Sequence, residues 1–418
     1  MDPNALFSFA LPEVMAWAVM LIALLIVYRQ AGTASYLLYF LIGSCFYLLV
    51  IPSVVGTYDP IYGMTGFPKE RYYGSVLVYC FFYSTGVYLT GRRALRDSAF
   101  ELRKPALSNL KNTKYKIAYW SFFFVSAGLC AYSIASRNVF QIGGDFLFTI
   151  LGFDFLLVCY LIDRPNRSSI VNLIFFSILA LLFFYAGFRY RVALLVLTEV
   201  VVYISGRGSL LLKAGLLVGS MLMVFLLAAI GQVRSYGSFD TISRIAQVEF
   251  DLGGLISASG EQTLYFATVN VIEKLDDLDT VGFRPITVLF THFIPSAVYP
   301  DKPRAEYLGA YLKVSEGLEG TGAAMHDVAQ ATLMFGHWGL PIAALMLGAI
   351  AGYILRFGLR LSPNRYYACC IILLFAIFVP SRGYLAQQVT WGLSFTLPIY
   401  LLNLGSRLTL RRKLRDAR

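Results

Sequence analysis

Charge is what this sequence has least of. Only 14% of its 418 residues are Asp, Glu, Lys or Arg, against about 25% in soluble domains. That excludes a water-soluble globular enzyme, and 58% hydrophobic residues exclude a disordered chain. The apolar residues run continuously rather than alternating, which excludes an outer-membrane barrel. Histidine is scarce, with three copies, and none forms a zinc-type cluster with cysteine. No phosphate-binding glycine loop is present, which argues against an ATP-driven pump. The six cysteines (Cys45, Cys80, Cys130, Cys159, Cys369, Cys370) all sit in apolar stretches without metal spacing, so a disulfide framework is not expected. The leading MDPNALFSFALPE lacks a basic region and is not expected to be a cleavable signal peptide. No internal repeat is visible, which weighs against a transporter built from two halves. What is present, at a mean hydropathy of +0.65, is the composition of an all-α polytopic membrane protein.

A membrane helix needs about 20 apolar residues. Eleven stretches qualify: 10–28, 35–55, 74–91, 117–136, 146–162, 169–187, 191–206, 212–231, 335–356, 366–380 and 388–405. Eleven crossings put the termini on opposite sides. With the C-terminus inside, the inner segments hold 22 of the 35 Lys and Arg against four acidic residues. The positive-inside rule therefore predicts an N-terminus outside and a C-terminus inside. The net charge of +11 belongs to a membrane surface, and no nucleic acid is expected. The predicted organisation is helices 1–8 over residues 1–231, a large outer loop or cap over 232–334, and helices 9–11 with a basic tail over 335–418. The loop carries a net charge of −6. It also holds helical periodicity at QTLYFATVNVIEKL (262–275) and an apolar stretch at 285–299, the pattern of a small folded cap.

Against that acidic loop, basic residues recur on the outer face. Arg189 and Arg191 lie in GFRYR (187–191), Arg234 in GQVRSYG (231–237), Lys302 and Arg304 in FIPSAVYPDKPR (293–304), and Arg382 in VPSRGYLAQQ (379–388). The plain alternative for each is an interfacial anchor or a surface charge. Converging guanidiniums suit a phosphate or diphosphate, because the arginine fork matches its oxygens. In the outer leaflet that group would be a lipid-linked diphosphate. His326 is followed by Asp327, and a carboxylate that met the imidazole in space could orient it as a general base. His337, in FGHWG, reads as the start of a span, and His292 is ambiguous. DDLD (276–279) reads as an acidic helix-end turn. Asp154 and Glu199 fall within spans, where they either pair with arginines, line a polar cavity or form an ion path. Glu13 reads as interfacial. Most of the 33 Phe and 28 Tyr line the bundle, while Tyr299 and Tyr307 on the cap could stack on sugar rings.

The ordered set AGFRYR (186–191), VRSYG (233–237), FIPSAVYPDKPR (293–304) and SRGYL (381–385) resembles the O-antigen polymerases of the Wzy type. The similarity extends to the enterobacterial common antigen polymerases. One departure is that the arginine followed eleven positions later by glycine in some members is missing at Arg189, Arg191, Arg234, Arg244 and Arg304. The resemblance implies a glycosyltransferase C-like fold and a polymerase that needs no metal or other cofactor. A growing glycan on undecaprenyl diphosphate would pass to a new lipid-linked repeat unit. Arg189, Arg191, Arg234, Lys302, Arg304 and Arg382 would hold the diphosphates, with His326 and Asp327 as catalytic residues. The bilayer and a chain-length regulator protein would be partners. The related ligases, which transfer glycan to lipid A core, and a lipid-linked oligosaccharide flippase are the alternative readings.

Overall fold

In the computed structural model the described residues are helical apart from turns and one short antiparallel pair of strands. The residues it describes are 11–31, 36–52, 58–59, 64–65, 69–101, 113–135, 150–185, 189–206, most of 271–292, single positions between 265 and 301, 325–381 and 385–416. Helix α1 spans Leu11–Ala31 and α2 spans Tyr36–Cys45, continuing as a π turn at Phe46–Val50. The strands Tyr58–Asp59 (β1) and Met64–Thr65 (β2) pair antiparallel. Helix α3 spans Lys69–Glu101 and α4 Thr113–Ala135. A π turn at Ile150–Asp154 leads into α5, Phe155–Asp163. Helices α6, Ser169–Tyr185, α7, Arg189–Gly206, and α8, Arg284–His292, follow. The chain closes with α9, Asp327–Arg360, α10, Arg365–Leu373, and α11, Leu385–Asp416.

Ten of the eleven apolar stretches read from the sequence overlap these helices in their described parts, and 212–231 lies outside the described residues. Two described helices are long and apolar enough to cross a membrane: Pro12–Arg29 within α1, and α9. Tyr36–Val50, Ser169–Phe183 and Arg365–Ser381 are shorter apolar helices. Large apolar side chains also stand exposed on the bundle's outside. Ile170, Leu173, Ile178 and Leu181 on α6, and Ile117, Phe124 and Val125 on α4, are examples.

Helices α3 and α9 run parallel at very close range. A Cβ at Gly348 would lie 2.1 Å from the Tyr83 carbonyl oxygen, and one at Gly86 2.3 Å from that of Leu345. Gly352 meets Val87 and Thr90 the same way, and the Thr90 hydroxyl donates to the Ala349 carbonyl at 3.0 Å. Small residues at i and i+4 let two backbones touch, which is how helices associate where water supplies no hydrophobic drive.

Helix α9 is two helices joined at a kink. Phe335 (φ −138°, ψ 17°) and Gly336 (φ 74°, ψ −175°) leave helical geometry. Positive φ is the conformation glycine takes without a Cβ penalty. The contacts fix what the kink does. Tyr83 is level with Gly348, so Tyr79 is level with about residue 344 at 1.5 Å per residue. A straight α9 would carry Asp327 about 25 Å beyond that level. Yet the Tyr79 hydroxyl donates to Asp327 Oδ2 at 3.0 Å. Residues 327–334 therefore double back into the bundle, and the long helix starts afresh at His337. This segment belongs to the 232–334 region expected as an outer cap, and it packs in the bundle because every residue from Met325 to Met334 is buried. The carbonyls of Leu333 and Met334, freed by the kink, accept the Val281 and Gly282 amides at 2.9 Å each.

At the opposite end Asn364 ties the bundle together. Its side-chain oxygen caps α10 by accepting from Tyr366 and Tyr367 amides at 2.9 and 3.1 Å. Its amide nitrogen donates to the Leu161 and Ile162 carbonyls at the end of α5. That contact brings the basic segments 163–168 and 356–365 to one end of the bundle.

Candidate functional site

The first turn of α7, which carries Arg189 and Arg191, lies beside the region where α10 ends and α11 begins. Tyr190 stands 5.0 Å, centroid to centroid, from Trp391 and 6.5 Å from Phe378. Arg191 itself points inward. It is buried, and its Nε donates to Asp154 Oδ1 at 2.5 Å. Its guanidinium lies 4.6 Å from the Tyr190 ring centroid, a cation–π distance. The Asp154 carboxylate balances the charge of Arg191 inside the bundle. Arg189 is the first residue of α7. Arg234, Lys302, Arg304 and Arg382 lie outside the described residues, as does most of the loop that carries the first three.

The carboxylates expected within spans do pair with arginines. Asp154 takes Arg191, and Glu199 takes Arg164 in a two-pronged bridge of 2.6 and 3.0 Å. The Tyr160 hydroxyl adds a third bond to Glu199 at 2.7 Å. Arg164 was not singled out in the sequence, because its partner lies 35 residues away on another helix. Asp276 of the DDLD stretch sits in a 3-10 turn and pairs with Arg71 at 2.9 Å. The guanidinium holds the Asp276 carboxyl below its ordinary range.

His326 and Asp327 start the doubled-back helix, and each serves a different partner. His326 is the N-cap: its Nδ1 accepts the Val328 amide at 3.3 Å. Its backbone amide donates to Thr268 Oγ1 at 3.0 Å, and its ring stands edge-on to Tyr79. Asp327 does not orient this imidazole. Its carboxylate accepts from Tyr79 at Oδ2 and from Gln330 Nε2 at Oδ1, 2.9 Å away. Consecutive residues at a helix start point in different directions, so sequence adjacency does not bring these two side chains together. With Nδ1 used as an acceptor, the imidazole proton sits on Nε2.

Gln330 carries the network onward. Its side-chain oxygen accepts the Leu385 amide at 3.1 Å. That amide is one of the unpaired donors at the start of α11. Gln388, one turn along, donates to the Val379 carbonyl and also meets Asp327. The node thus joins α3, α9, α11 and the Thr268 segment. Tyr79, Gln330 and Gln388 were missed in the sequence. The available signal was polar amides inside apolar stretches and a tyrosine stripe at Tyr72, Tyr79 and Tyr83.

The fold and site define an all-α bundle with paired internal charges and a polar node at one end. The chain matches no protein-family model, no curated protein and no solved structure.

Proposed function

We propose that this chain is a polytopic inner-membrane glycosyltransferase that polymerises undecaprenyl-diphosphate-linked oligosaccharide repeat units at the periplasmic face. The observation that carries the reading is the convergence at one end of the bundle. The starts of α7 and α11, which overlap AGFRYR and SRGYL in the sequence, meet through Tyr190 and Trp391. Gln330 ties the start of α11 to the His326–Asp327 helix. Stretches up to about 200 residues apart in sequence thus come together, which supports a shared site. The membrane setting is supported by the exposed apolar side chains of α4 and α6 and by the basic segments gathered at the opposite end.

In this reading the arginines stabilise the charge that develops on the diphosphate as the glycosyl–phosphate bond breaks. Each such donor contributes about 2.7–4 kcal/mol, by analogy with oxyanion-hole deletions. Arg191 acts through Asp154, fixing the turn that presents Arg189. The doubled-back helix is then a re-entrant segment bringing His326 and Asp327 below the outer surface.

The test is purified protein with one synthetic undecaprenyl-diphosphate repeat unit in EDTA, with products resolved on a glycan gel. A ladder lost in Arg189→Ala and Arg382→Ala is expected. Absence of a ladder until lipid A core is added would mean a ligase. No product with either acceptor would overturn both enzyme readings and leave the transporter.

A further inference from the structure

Asp327 differs from Asp154, Asp163 and Glu199, which each face an arginine. Asp327 is fully buried, and its partners are all neutral: the Tyr79 hydroxyl and the amides of Gln330 and Gln388. The titratable groups around it are Tyr79 and Tyr83 on α3 and His326 on its own helix. No lysine or arginine among the described residues forms a salt bridge with it.

Two opposing effects meet on this carboxyl. Burial without a cation disfavours the charged form, and three donors aimed at its oxygens favour it. Arginine-paired acids have no such balance, because the cation settles the matter. The doubled-back helix also ends at Asp327, so the group sits at the tip of an element hinged at Gly336.

We propose that Asp327 is a proton-exchanging site inside the bundle, with Tyr79 and Gln330 as its positioning residues. The proton leaves the carboxyl oxygen for water and returns by the same route, with no other bond changed. The three donors compensate the resulting anion. This inference rests on the contacts of Asp327 and does not depend on the polymerase reading.

The experiment is an infrared titration of the full chain in lipid vesicles from about pH 5 to about pH 9, following the carbonyl stretch of protonated carboxylic acids. One band titrating in that range, absent in Asp327→Asn, is expected. In Tyr79→Phe the anion loses a donor, so proton affinity should rise about tenfold, a midpoint shift of about one pH unit. A wild-type spectrum with no titrating band that Asp327→Asn removes would overturn the site. A band whose midpoint stays fixed in Tyr79→Phe would overturn the positioning role. If Asp327→Asn does not fold, Tyr79→Phe and Gln330→Leu decide: a midpoint unmoved in both overturns the assignment. Failure of the glycan ladder would sink the polymerase reading and leave this titration unaffected.

Discussion

Arg191 Nε and Asp154 Oδ1 meet at 2.5 Å with side chains only 3% and 1% exposed. The pair locks the first turn of α7 to the π turn ahead of α5. Removing one partner leaves the other as an uncompensated buried charge, which costs about 3–5 kcal/mol. Arg191→Met and Asp154→Leu should each lower the melting temperature sharply in detergent. The double variant should recover most of the loss, because both desolvation penalties vanish together. A double variant whose loss equals the sum of the two single losses would show that the pair is not coupled.

The α3–α9 contact makes a steric prediction. Gly348→Ala and Gly86→Ala place a Cβ against backbone carbonyls that cannot rotate away. The helices must separate, at a cost of about 1–3 kcal/mol each. Gly74→Ala, on the same α3 with nothing within 4 Å of a Cβ, should be neutral or slightly stabilising. Thermal melts of the three variants check this ranking.

Asn364 makes four hydrogen bonds with one side chain. Asn364→Asp retains the cap on α10 but loses both donors to α5. Asn364→Ala loses all four bonds, and its cap alone is worth about 0.5–2 kcal/mol. The expected order of melting temperatures is wild type, then Asp, then Ala. An aspartate variant as stable as wild type would show that the α5 bonds contribute nothing.

The helical stretches were legible in the sequence because length and hydropathy are local properties. An apolar run such as Ser169–Tyr185 allows little but a helix. The same logic located His337 as a helix start, and the structure begins the long helix there. Pairings were legible only as types. Pairing with arginines was one of three readings open for Asp154 and Glu199, and Arg191 and Arg164 were chosen by which helices became neighbours. The doubled-back segment 327–334 was invisible, since its sequence runs on into α9 with no proline and no polar break.

By itself, then, the amino-acid order determined a helical, apolar chain and roughly where its helices lie. Those follow from backbone hydrogen bonding and side-chain hydropathy within a few turns. The tertiary structure alone decided that Gly336 takes a positive φ, that Asp327 turns to Tyr79 rather than His326, and that Arg191 faces inward. Each outcome depends on contacts between residues far apart in the chain, and such contacts form only when the helices pack.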